Sequence, residues 1–144
     1  DNPRYLPDLA GALTNLAIHY SVVGHHLEAV APAEEAINLY RQQAAHNPGH
    51  LPNLAAALHN LAIAYREVDR HAEAIAPAEE AINLYRQQAA HNFRQLPHLA
   101  TALRHVAILY RANRREDEID RAWDRALAAL PSEDARRALL SLRE

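Results

Sequence analysis

Apolar residues recur three and four positions apart through most of the chain, the spacing that gathers side chains on one face of an α-helix. Leu9, Leu13, Leu16, Ala17 and Tyr20 form the first such stripe. It returns as Leu54, Leu58, Leu61, Ala62 and Tyr65, and again as Leu99, Leu103, Val106, Ala107 and Tyr110. A second kind of stripe alternates with it: Ala29, Ala33, Ala36, Ile37 and Tyr40, then Ala74, Ala78, Ala81, Ile82 and Tyr85. Neither stripe can be buried by its own helix. Ala at successive turns lets two backbones approach closely, so the pattern predicts antiparallel pairs of a helix A and a helix B.

The pairs are copies of one unit. Leu6-Pro7-Asp8-Leu9-Ala10 recurs as Leu51-Pro52-Asn53-Leu54-Ala55 and as Leu96-Pro97-His98-Leu99-Ala100, a period of about 45 residues. Ala31 to Asn47 is matched residue for residue by Ala76 to Asn92, the mark of recent duplication or of deliberate design, whereas the third unit has diverged. Pro7, Pro52 and Pro97 stand where helix A begins, where a missing N–H costs nothing. Polar breaks at Gly24, Asp69-Arg70 and Asn113-Arg114 separate A from B. Pro32 and Pro77 fall inside helix B and predict a kink in each. Asn47-Pro48-Gly49-His50 ends the first helix B with strong breakers; Asn92-Phe93-Arg94-Gln95 ends the second without them. Pro131-Ser132-Glu133-Asp134 reads as a break, an N-cap and an acidic first turn, opening a last helix with Ala135, Ala138, Leu139 and Leu142 on one face. The expected architecture is all-α, one domain over 1–144: units at about 6–50, 51–95 and 96–131, forming three antiparallel helix pairs, and a C-terminal capping helix at about 132–143. No polar cap precedes the first unit, so its outer face is expected to be covered by upstream repeats or by a second copy of the chain.

Composition narrows the chemistry. The chain has 144 residues, 49% of them hydrophobic, with no Cys; disulfides, thiol nucleophiles and thiolate ligands are excluded. A formal charge of −3 with mixed signs offers no basic stripe for nucleic acid, and no apolar run is long enough to cross a bilayer. The expected location is the cytoplasm. All 15 basic residues are Arg, a composition typical of GC-rich bacterial genomes, and the absence of Met even at position 1 points to a piece of a longer protein.

The order of residues in each unit resembles the tetratricopeptide repeat: Leu13, Leu16-Ala17, Tyr20, Gly24, Ala29, Ala33 and Ala36 in the first; Leu58, Leu61-Ala62, Tyr65, Ala74, Ala78 and Ala81 in the second; Leu103, Val106-Ala107, Tyr110, Ile119, Trp123, Ala126 and Pro131 in the third. The usual unit is about 34 residues, so each unit here is longer by about three helical turns. In this length, and in Asn15-Leu16-Ala17 and Asn60-Leu61-Ala62, the chain is similar to the extended repeats of kinesin light chains and actinobacterial regulators. The resemblance implies a right-handed α-solenoid whose A helices line a concave groove, and a protein-interaction module.

That resemblance places the candidate site on the A helices, just off the apolar stripes: Thr14, Asn15 and Ile18, with Ser21; His59, Asn60, Ile63 and Arg66; and Arg104, His105 and Arg111, with Thr101 and Ile108. An Asn amide both donates to and accepts from a peptide backbone, which suits Asn15 and Asn60 to sequence-tolerant capture. Arg66, Arg104, His105 and Arg111 concentrate positive charge toward the C-terminal half and favour an acidic or phosphorylated segment. The family's carboxylate clamp for chaperone tails is not matched, since Thr14 and Ile18 stand where it needs Lys and Asn.

Other chemistry is disfavoured. His25-His26 diverge on a helix, Pro48-Gly49 interrupts the spacing of His46 and His50, and His59 with His105 makes only a pair, so no metal and no cofactor are expected. Glu34-Glu35 and Glu79-Glu80 are adjacent on helix B and read as a solvated face, not paired acids. Ser21, Ser132 and Ser141 lie in no nucleophile setting. Trp123 and the stripe tyrosines read as core. The chain is therefore expected to be a binding module and not an enzyme, its partner a protein or peptide. The alternatives are self-association through the N-terminal end, or a designed or fragmentary array with no ligand of its own.

Overall fold

The computed structural model describes residues 6–143. Seven α-helices and no strands are found among them: α1 (Leu6–Val22), α2 (His26–His46), α3 (Leu51–Glu67), α4 (His71–His91), α5 (Leu96–Ala112), α6 (Asp117–Ala128) and α7 (Glu133–Arg143). The A helices α1, α3 and α5 are each 17 residues long and begin 45 positions apart. Each helix packs chiefly on its neighbours in sequence, α1 on α2, α2 on α3 and so on to α6, while α7 lies against α5. This is a helical solenoid. Its core is one continuous cluster along the stack, with Leu58, Leu99, Leu103, Val106 and Tyr110 at 1% exposure or less.

Identical turns join A to B in all three units. Gly24, Asp69 and Arg114 occupy equivalent places with φ of 85°, 63° and 56°. The residue after each donates its N–H back to the stripe tyrosine's carbonyl: His25 to Tyr20 at 2.8 Å, Arg70 to Tyr65 at 2.9 Å and Arg115 to Tyr110 at 2.7 Å. That bond closes the helix end and demands a left-handed residue before it. Gly accepts the conformation freely and Asp tolerates it, while Arg114 carries the full Cβ strain of roughly 1–2 kcal/mol.

The joints from B to A are also alike, although only the first carries strong breakers. Pro48–His50 and Phe93–Gln95 form the same short 3-10 turn. The cause is the residue they share: the Asn47 side chain accepts from the Gly49 N–H at 2.9 Å and that of Asn92 from the Arg94 N–H at 3.0 Å. An Asn side chain bonding its own backbone two residues on supplies the turn without Pro or Gly. Pro32 and Pro77 do not end their helices; α2 and α4 run through them for 21 residues each.

The third pair is shorter than the other two. Helix α6 has 12 residues, and Trp123 fills the position where the longer B helices carry Ala33 and Ala78. The indole is 2% exposed and the Arg143 guanidinium lies over its ring at 5.0 Å. Helix α7 is capped as anticipated, the Ser132 hydroxyl accepting from the Ala135 N–H at 3.1 Å, and it buries Ala135 and Leu139. The carboxylates read as a solvated face of helix B prove in part to be ties between helices. Glu79 accepts from the Tyr110 hydroxyl at 2.5 Å, and Glu80 accepts both arms of Arg41 at 2.6 and 2.8 Å. Burial and then Glu79 push the Tyr110 hydroxyl's pKa upward.

Candidate peptide-binding groove

The A helices carry the candidate residues at equivalent positions, so the groove can be read unit against unit. One row is Thr14, His59 and Arg104; the next is Asn15, Asn60 and His105; the third is Ile18, Ile63 and Ile108; the fourth is Ser21, Arg66 and Arg111. Ile18 and Ile108 are 44% and 46% exposed and Ile63 is half-buried, an apolar line where each helix would otherwise place polar residues toward water.

Between α1 and α3 the surface opens into a cleft of about 180 Å³. Ile18 and Val22 form one wall, Ile63 and Ala64 the other, Ala29 of α2 helps close it, and Asn60 and Ser21 supply its polar groups. Asn60 also meets Thr14 across a second, nearly filled gap further along the same seam. Its amide makes no hydrogen bond among the described residues, whereas the Thr14 hydroxyl is committed to the Ala10 carbonyl at 3.0 Å. Asn15 is exposed.

The corresponding interval between α3 and α5 carries larger groups. Where the first interval sets Thr14 against Asn60, the second sets His59 against His105, and the two rings meet edge to face at 5.1 Å. His105 was expected to face the groove, but it is only 6% exposed, and neither of its ring nitrogens has a hydrogen-bond partner among the described residues. Burial lowers its pKa to about 3, with the neighbouring His59 and Arg66 adding to the effect. Burial, then Arg66 and His98, lowers that of His59. Both rings are neutral at pH 7, so the positive charge assigned to His105 is absent, and no third ligand group completes a metal site with them among the described residues.

Arg104 is also diverted from the groove. It donates to the Leu142 carbonyl at 2.5 Å, fastening the end of α7, and its other arm reaches Thr101 at 3.4 Å. Arg66 and Arg111 remain, at equivalent positions near the C-terminal ends of α3 and α5, and neither forms an ion pair among the described residues. Their charge is available to a ligand.

Sequence reasoning missed a larger cleft on another face. About 400 Å³ lies between the C-terminal turns of α4 and the start of α3, bounded by Leu84, Gln88, His91, Pro48 and Pro52. The Gln88 amide and that of its equivalent, Gln43, are shielded from water without hydrogen-bond partners among the described residues. The signal for them was present: two identical glutamines at the same point of an identical stretch.

Comparison with known proteins agrees with this geometry. The tetratricopeptide repeat profile matches residues 8–87, more than half of the chain, and the chain belongs to that family. Tetratricopeptide repeats generally mediate protein–protein interaction and are typically scaffolds, not enzymes. No curated protein matches the chain in sequence. Among solved structures it is similar to the N-terminal domain of stress-induced protein-1 (STI-1) from C.elegans. The TM-score is 0.63 and the identity 17%, with 96% of this chain and 98% of that one covered. At that identity the likeness is one of fold.

Proposed function

We propose that the chain holds an extended peptide segment of a partner protein along its A helices, with one apolar side chain in the α1–α3 cleft. The observation that carries this reading is the pairing of an open apolar cleft with an uncommitted amide, Asn60, at its edge. Apolar walls with a few convergent polar groups are the usual make-up of a ligand site. Asn60 donates to and accepts from the peptide backbone, and Asn15 adds the same contact one helix earlier. Arg66 and Arg111 favour an acidic residue toward the end of the groove where the A helices finish.

Peptides selected from a random display library against the intact chain test this reading, with affinities measured by fluorescence titration. The selected sequences should pair a large apolar residue with nearby Asp or Glu. Asn60→Ala should weaken them about 10-fold, the loss of roughly 1–1.5 kcal/mol expected of one hydrogen-bonding side chain. Ile63→Glu should weaken them further by filling the cleft with charge. Affinities that survive both substitutions would overturn the proposal.

A further inference from the structure

The tie between successive B helices is not repeated along the stack. Between α2 and α4 the Glu80 carboxylate accepts both arms of the Arg41 guanidinium, at 2.6 and 2.8 Å. One unit on, Arg41 recurs as Arg86, but the equivalent of Glu80 is Arg125. The turn before α6 fixes that register, since Arg114 holds the place of Asp69 with the same left-handed backbone. Two guanidiniums therefore stand where the preceding interval has a guanidinium and a carboxylate. Both line one cleft of about 250 Å³ between α4 and α6, together with Asn83 and with Ile82 and Ala122, each 6% exposed. The carboxylates nearby are engaged elsewhere. Glu79, which also borders the cleft, accepts from the Tyr110 hydroxyl and lies 4.0 Å from Arg115. Glu118 is 3.9 Å from Arg125 but closer to Arg121, at 3.3 Å. Arg86 forms no ion pair among the described residues and donates to the Asn83 side-chain oxygen at 3.0 Å.

We propose that this cleft binds a carboxylate from outside the chain, held between Arg86 and Arg125 as the Glu80 carboxylate is held by Arg41. A carboxylate is the group that the repeat itself places at this position one unit earlier. The planar guanidinium fork matches its two oxygens, and a fork from each helix lets one carboxylate bridge α4 and α6. Like charges that share a cleft repel, and an anion between them turns that repulsion into attraction. Ile82 and Ala122 offer an apolar surface to the methylenes behind the carboxylate, which suits an aspartate or glutamate side chain or a small aliphatic acid. The site lies among the B helices, apart from the A-helix groove, and does not depend on that groove being filled.

Two-dimensional NMR of the arginine Nε–Hε groups of the intact chain tests this. One titration uses glutarate and a parallel one N-acetylglutamate α-amide, which carries a single side-chain carboxylate. Each runs to about 50 mM with chloride holding the ionic strength constant, a range that covers millimolar binding. Arg86 and Arg125 should shift together and saturably with one dissociation constant, while Arg41, already paired, stays unmoved. Tighter binding of the amide assigns the site to a partner's acidic side chain, and tighter binding of glutarate assigns it to a small free acid. Arg125→Glu installs the residue that the preceding unit carries at this place, so helicity by circular dichroism should be unchanged. That variant should weaken binding about 10-fold or more, as should Arg86→Gln, and Asn60→Ala should leave it unaltered. Shifts that fail to saturate, shifts at Arg41 equal to those at Arg86, or an Arg125→Glu chain that binds as well as the parent would each overturn the carboxylate site.

Discussion

Replacing Trp123 by Ala is expected to lower the free energy of unfolding by about 3 to 5 kcal/mol. The indole is 2% exposed on the shortest of the B helices, at a point where the earlier, longer B helices carry only Ala. Its removal opens a cavity between α5, α6 and α7 and frees Arg143, whose guanidinium rests on the ring. Urea unfolding followed by circular dichroism gives the magnitude. Hydrogen exchange gives the location: in a stack where each unit touches only its neighbours, protection should fall first in α5 to α7 and last in α2 and α3. A loss below about 1 kcal/mol would mean that the C-terminal end collapses onto the space left by the ring.

The second large effect is a loss of stability in mild acid, arising from His105. Its folded pKa is about 3, against an ordinary value of 6.5 for histidine. The unfolded chain therefore binds a proton that the folded chain refuses. Stability from this residue is fully present above pH 6.5 and is lost as pH falls through that value toward 3. At pH 5 the loss is about 2 kcal/mol for a group that stays neutral in the fold. The lowered pKa of His59 acts in the same direction. His105→Leu removes both the titration and two buried ring nitrogens without partners. The variant should be at least as stable as the parent at pH 8 and should exceed it by a further 2 kcal/mol or so at pH 5. The difference between the two unfolding curves isolates the histidine from the carboxylates that both chains share. Parallel pH dependences would show that the ring becomes protonated in the folded state.

The helical pairs were legible because periodicity reports burial directly. Leu58, Leu103 and Tyr110 were assigned to the core by spacing alone, and they are among its most buried side chains. The left-handed turns were also marked, by Gly24, Asp69 and Asn113-Arg114, since a helix end leaves few residue types free to adopt the required φ. The groove was harder. A position just off an apolar stripe can point to water, to the next A helix or to the capping helix, and one helix's spacing does not distinguish them. His105 and Arg104 show the consequence. The first turns inward against His59, because helix-to-helix separation decides which ring fits the seam; the second reaches a carbonyl 38 residues away on α7. Glu79 and Glu80 escaped for the same reason, their partners Tyr110 and Arg41 being 31 and 39 residues distant.

Chemical-shift mapping of the isotopically labelled chain, titrated with a peptide selected for binding, tests the groove most directly. The account predicts the largest perturbations at amides of residues 14–22 on α1 and 59–66 on α3, with smaller ones near Arg111 and little change in the outer turns of α2 and α4. Perturbations centred instead on the cleft bounded by Pro48, Leu84 and Gln88, with α1 and α3 silent around Ile18 and Asn60, would contradict it.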